Sequence, residues 1–65
     1  MLKSSQVVQV VNNSHMRGSL WIVSKYVDNK EVLVYDAKTK DVETFNENDL
    51  EVIGEAILVI PLYVH

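Results

Sequence analysis

Apolar runs of four to eight residues recur along the chain, each closed by a polar, turn-forming cluster. The runs are 6–11, 20–27, 31–35, 42–45, 50–53 and 57–64. They are too short for stable isolated helices. Their β-branched and aromatic content suits a pleated, half-buried surface, so each is read as a strand. Five or six strands at this spacing predict an all-β chain built as a small antiparallel barrel or sandwich.

The clusters between the runs have turn chemistry of their own. Asn12, Asn13, Ser14 and His15 form a loop whose short polar side chains satisfy local backbone groups. Gly18 is expected to take a positive φ before the second strand. Asp28-Asn29-Lys30 turns the chain, with Asn29 or Lys30 in the left-handed region, and 36–40 makes the next connection. Residues 46–49 predict a tight turn or a single 3₁₀ turn with side-chain caps. Gly54-Glu55 interrupts the fifth strand. Segment 56–64 carries Pro61, which lacks a ladder donor and so suits an edge strand or a bulge.

Alternation then assigns faces. A three-residue loop at 28–30 pairs Tyr26 with Val32 and Ser24 with Val34. Leu20, Ile22, Val32, Val34 and Val42 then share one face as the core. Trp21, Val23, Leu33, Tyr35 and Phe45 occupy the other. A two-residue loop would move the register by one and exchange several of these. Either way the sheet is apolar on both sides. The second face must be covered by the first strand, by the C-terminal segment or by another chain.

At 65 residues the chain is expected to form one domain, 1–65, with a core in 6–54 and a strand extension in 55–65. A domain of this size buries only about 60% of its unfolded surface. Small domains usually lean on disulfides, a metal or a partner, and the absence of cysteine removes disulfides and thiolate zinc sites. Stability must come from an efficient apolar core or from self-association; a hydrophobic content of 48% suits both and argues against disorder. Nine acids against six bases give a net charge of −3, which offers no general attraction to phosphate or anionic lipid. The first residues contain no leader-type apolar stretch, and 56–64 is shorter than the about 20 residues a spanning helix needs. A cytoplasmic location is the expectation.

The run Arg17-Gly18-Ser19-Leu20-Trp21-Ile22-Val23, then 31–35 and the closing Asn48-Asp49-Leu50-Glu51-Val52-Ile53, resembles an SH3-like small barrel. The likeness is to the broad group that includes KOW-type, Tudor-type and photosystem-associated barrels, and it covers roughly 6–54. It implies a five- to six-stranded antiparallel barrel in which a loop and a glycine precede the second strand. It also implies a single 3₁₀ turn leading into a short last strand. The chain departs from peptide-binding SH3 domains, which carry an acidic–aromatic first loop and paired tryptophans. Here the first loop has no aromatic residue and Trp21 is the sole tryptophan, so proline-rich peptides are not the expected ligand. The 55–65 extension lies outside the resemblance.

Catalytic groups are sparse. His15 beside Ser14 is not placed as a general base, since neighbours in an extended chain point apart. Asp36, Asp41 and Glu43 flank one turn but lack the oxygen count and glycine bend of a calcium loop. Glu47, Asp49, Glu51 and Glu55 read as an acidic edge that discourages strand-to-strand aggregation. No enzyme activity, metal or cofactor is expected. A methyl-lysine cage needs several convergent aromatics, and Trp21 and Tyr26, five apart, point to opposite faces of a regular strand.

Two binding readings remain. The favoured one is a non-catalytic protein-interaction module, because contiguous exposed apolar surface marks interaction sites and aromatics are enriched at interface centres. Its partner-binding residues are Trp21, Val23, Leu33, Tyr35 and Phe45. Ile57, Val59, Ile60, Leu62 and Tyr63 would mediate self-association, most simply as a homo-oligomer. By analogy with other stand-alone miniature domains, such a protein is a regulator or inhibitor docked on a larger assembly, as phage-encoded modulators of host machinery are. The alternative is a nucleic-acid-binding barrel. It would use Lys25, Lys30, Lys38 and Lys40, whose turns bracket one strand, with Trp21, Tyr35 and Phe45 as a stacking platform. A third option is an accessory subunit of an enzyme complex.

Overall fold

The structure is a computed structural model, and it describes residues 1–13 and 15–56. The chain is all-β: β1 (Gln6–Val10), β2 (Leu20–Tyr26), β3 (Glu31–Tyr35), β4 (Val42–Asn46) and β5 (Leu50–Glu55). They form one antiparallel sheet in the order β4-β3-β2-β1-β5. A single 3₁₀ turn, η1 (Glu47–Asp49), joins β4 to β5. Among the described residues no helix is long and apolar enough to cross a membrane.

That short connection dictates the shape of the sheet. β4 and β5 are its outermost strands, four strand spacings or about 19 Å apart if the sheet were flat. A turn of three 3₁₀ residues covers only about 8 Å. The sheet must therefore curl to bring its ends together, although β4 and β5 do not pair. Hydrogen bonds pin the turn across the opening: Glu47 N–H donates to the Lys30 carbonyl at 2.8 Å and Val11 N–H to the Asp49 carbonyl at 2.8 Å. Asn46 caps the turn by accepting from Asn48 N–H at 2.9 Å, as its side-chain chemistry predicts.

The concave face holds the core: Val8, Val10, Trp21, Val23, Val32, Val34, Phe45 and Leu50. Trp21 and Phe45 meet edge to face, with centroids 5.8 Å apart, although β3 lies between β2 and β4. The buried indole N–H is satisfied by Ser19 Oγ at 2.8 Å, and that hydroxyl donates to the Met16 carbonyl at 2.6 Å. Leu2, Met16 and Tyr26 pack against the margin of this cluster.

The core differs from the alternation-based expectation, in β2 because of a β-bulge and in β4 because Tyr35 pairs with Val42. Tyr26 pairs with Val32 as expected, and Lys25 with Leu33, but the next pair is Val23 with Val34. Ser24 is the extra residue. A strict register would set its hydroxyl against Val34 in the core; the bulge substitutes Val23 and reverses the facing of everything before it. Trp21 and Val23 thus turn inward, and Leu20 and Ile22 outward. Phe45 pairs with Val32 and Val42 with Tyr35, so Phe45 is inside and Val42 outside.

Two local expectations also change. β5 continues through Gly54-Glu55, because a second bulge between Val52 and Gly54 absorbs Ile53 and restores pairing with β1. Neither Asn29 nor Lys30 is left-handed. Instead the Asp28 carboxylate accepts from Lys30 N–H (2.9 Å) and Glu31 N–H (2.8 Å), which also holds its acid below the usual 3.8. Among the described residues the left-handed positions are Gly18 at φ 90°, as expected, together with Lys40 at 68° and Ser5 at 73°.

Candidate functional site

The outward alternation leaves an apolar band across the convex face. Reading the registers from edge to edge, Gly54 of β5 sits beside Val7, Val7 beside Ile22, Ile22 beside Tyr35, and Tyr35 beside Val42. The flanking rows are more polar. Glu51, Gln9 and Leu20 align on one side, and Lys25, Leu33 and Thr44 on the other. Leu20 and Val42 are 51% and 61% exposed. Between β2 and the β3–β4 turn the band deepens into an open groove of about 400 Å³, floored by Leu20, Ile22 and Tyr35 and rimmed by Asp36 and Lys38.

The expected partner-binding set is divided by the sheet. Trp21, Val23 and Phe45 are core residues, exposed by 7%, 1% and 5%. Leu33 and Tyr35 lie on the convex face, half-buried. The convex band instead gathers Leu20, Ile22 and Val42, which the regular register had assigned to the core, together with Val7. The five residues expected to drive self-association, Ile57, Val59, Ile60, Leu62 and Tyr63, lie outside the described residues.

The lysine cluster separates as well. Lys30 lies in the β2–β3 turn and Lys25 near it, whereas Lys38 and Lys40 lie in the β3–β4 turn. The two turns stand at opposite ends of β3, a five-residue strand about 17 Å long. With Trp21 and Phe45 inside, no continuous stacking platform lies between them. Trp21 and Tyr26 share a face, against the expectation from regular spacing, because the Ser24 bulge lies between them. They do not line an open cage: Trp21 is buried and Tyr26 is bound at its hydroxyl.

Polar groups elsewhere serve the backbone. The Asp36 carboxylate accepts from Lys38 N–H (2.8 Å) and Thr39 N–H (3.3 Å), and Thr39 Oγ1 donates to Asp41 (3.0 Å). His15 lies in an exposed turn, its backbone N–H held by Asn13 Oδ1 at 3.0 Å. Tyr26 Oη donates to Glu47 Oε1 at 2.6 Å and accepts from Leu2 N–H at 3.0 Å. The Glu47 bond pushes the phenol above its ordinary 10.0, with burial and the carboxylate's charge adding to it, while the Leu2 bond opposes it. Among the described residues no three His, Cys, Asp or Glu side chains converge as metal ligands.

No protein-family model, curated protein or solved structure matches the chain. The site contains no nucleophile next to a base. What it offers is a shallow, largely uncharged surface, wide enough to seat an apolar segment.

Proposed function

We propose that the chain is a non-catalytic protein-interaction module of SH3-like small-barrel architecture, acting as a small regulator or inhibitor that docks on a larger protein assembly. Docking uses the convex face. The observation that carries this reading is the apolar band Val7–Ile22–Tyr35–Val42, continuous across four strands, with Leu20 exposed beside it. An exposed apolar patch of this kind, rimmed by polar residues, is a frequent mark of protein-binding surface. Tyr35 supplies a rigid amphipathic anchor of the type found at interface centres. The strand order and the single 3₁₀ turn before the last strand support the barrel resemblance.

The test is capture of a partner from an extract of the source cells by wild-type protein and by an Ile22→Ser/Tyr35→Ala variant. Both baits should melt as folded protein, and the partner should be lost only from the variant. Equal capture by the two would refute convex-face docking. A mobility shift with mixed oligonucleotides decides the nucleic-acid alternative, since non-specific binders reach a Kd of roughly 10⁻⁴ to 10⁻⁶ M even at physiological salt. A shift at low salt and micromolar protein would favour that alternative.

A further inference from the structure

The sheet ends in two edges, β4 and β5, and they are not equally guarded. β5 is kinked by its bulge at Ile53 and carries Glu51 and Glu55, features that discourage another strand from adding. β4 runs in unbroken register with β3, has neither proline nor lysine, and exposes Val42, Glu43 and Thr44. Its hydrogen-bonding direction follows from the two bonds that bracket the β3–β4 ladder, Glu47 N–H to the Lys30 carbonyl and Asp36 N–H to the Asp41 carbonyl. Alternation between them gives Val32–Phe45 and Val34–Glu43 as the bonded pairs. Val42, Thr44 and Asn46 therefore turn their backbone N–H groups outward, and among the described residues no strand meets them. We propose that β4 pairs antiparallel with β4 of a second copy, about a two-fold axis at Thr44, to form a homodimer.

Charge selects both the occupant and the register. The one charged residue of β4 is Glu43. A two-fold axis at Glu43 sets that carboxylate against its own copy. An axis at Val42 sets it against Asp41 of the second copy, and an axis at Phe45 sets it against Glu47. Like charges directly opposite are destabilising. The axis at Thr44 avoids all three arrangements. There Glu43 faces Phe45, Val42 faces Asn46, and Thr44 meets Thr44, a pair that is favourable across strands. The first like-charged pair in this register, Asp41 with Glu47, falls beyond the strand ends, where Glu47 is already held by the Tyr26 hydroxyl. A strand of unrelated sequence has no reason to match this pattern, whereas a second copy matches it by symmetry.

The axis stands perpendicular to the joined sheet, so the two Val7–Ile22–Tyr35–Val42 bands lie on one side of it. Two linked bands would hold a repeated partner by avidity that neither has alone. The pairing engages the five residues of β4 in each chain. Its area falls below the about 1,200 Å² at which standard interfaces begin, and the dimer is accordingly weak. Edge pairing leaves the convex face open, so this proposal does not rest on convex-face docking and the two fail separately.

The chain lacks cysteine, so single substitutions in the full chain report the register. Cα atoms of an antiparallel bonded pair lie about 5.5 Å apart, inside the about 4.4–6.8 Å that a disulfide spans. The two Val42 residues would be offset along the strands by about 14 Å. In a glutathione redox buffer, Thr44→Cys should therefore collect as disulfide-linked dimer on a non-reducing gel, and Val42→Cys as its glutathione adduct. Absence of dimer from Thr44→Cys, or as much dimer from Val42→Cys, would overturn the proposal. Sedimentation equilibrium gives a second readout. The unsubstituted protein should gain mass toward twice its monomer value between about 10 µM and 1 mM, the range of a weak interface. Thr44→Pro removes an outward N–H but no bond to β3, so it should keep its melt and stay monomeric. A monomer throughout for the unsubstituted protein would overturn the proposal, as would a Thr44→Pro protein that folds and still dimerises.

Discussion

Replacing Trp21 with alanine separates a core tryptophan from a docking tryptophan. The indole is 7% exposed, stacks edge to face on Phe45 at 5.8 Å and donates to Ser19 Oγ. Truncating a buried tryptophan to alanine costs about 3–5 kcal/mol, including the cavity left behind. A domain of 65 residues, at roughly 0.05–0.15 kcal/mol per residue, holds only about 3–10 kcal/mol in total. The substitution therefore removes much or all of the stability. In a urea melt followed by far-ultraviolet circular dichroism, with a slope near 1 kcal/mol/M for so small a domain, the midpoint should fall by ~3 M or more. For many starting stabilities that means no folded baseline at all. Tyr35→Ala is the matched control: it removes a half-buried ring from the convex face and should cost about 1 kcal/mol or less. A Trp21→Ala protein that melts within about 1 kcal/mol of wild type while Tyr35→Ala unfolds would refute the facing of β2 and everything built on it.

The remaining predictions concern single positions. Lys40 closes the 36–40 turn at φ 68°, so Lys40→Gly should relieve left-handed strain worth about 0.5–1 kcal/mol and raise Tm by about 2–8 °C in calorimetry; an unchanged or lower Tm would contradict that strain. Tyr26→Phe removes the bonds to Glu47 and Leu2 and should cost about 1 kcal/mol at neutral pH. Because the folded phenol titrates above 10.0, the folded state holds that proton more tightly. Its contribution is complete below pH 10 and is lost as pH rises through the elevated folded value. Alkaline melts should accordingly fall more steeply for wild type than for Tyr26→Phe, and parallel slopes would count against the bond. Deleting Ser24 should join Val23 directly to Lys25, remove the bulge and leave Trp21 and Val23 facing the core, so the cooperative melt and the tryptophan emission maximum should be kept; a red shift with loss of the melt would contradict the assignment of Ser24 as the extra residue.

Much of the strand pattern was legible because turns and apolar runs carry local chemistry. The five described strands lie within a residue or two of the apolar runs, the 3₁₀ turn forms where Asn46 and its neighbours can cap it, and Gly18 takes its positive φ. Facing was not legible by strict period-two counting, which assumes that no strand gains a residue. Both bulges break that assumption. A signal for the first was present: the regular register sets Ser24 against Val34, a hydroxyl in an apolar row, with Val23 one step away to replace it. Gly54 gave a similar sign for the second, since glycine inside a strand often accompanies a bulge. The lysines failed for a different reason. Two turns that bracket one strand lie at its two ends, and proximity in sequence concealed that separation.

The Ser24 bulge links the interior of this protein to its exterior. One inserted residue brings Trp21 and Val23 beneath the sheet and, by the same reversal, lifts Leu20 and Ile22 onto its convex side. With Ser24 held in strict register instead, the convex face would carry the tryptophan, and the core would hold Ile22 and Ser24 against Val34. The carbonyl just before the insertion is also fixed, since Val23 O accepts from Ser5 N–H at 2.9 Å, and Ser5 O in turn receives Ala56 N–H. The irregularity in β2 is thereby tied through Ser5 to Ala56, the residue that follows β5. Stability and recognition are coupled at this position. A substitution that loosened the bulge would weaken the core and disassemble the apolar band together, whereas changes at Tyr35 or Val42, farther along the same band, alter the surface alone.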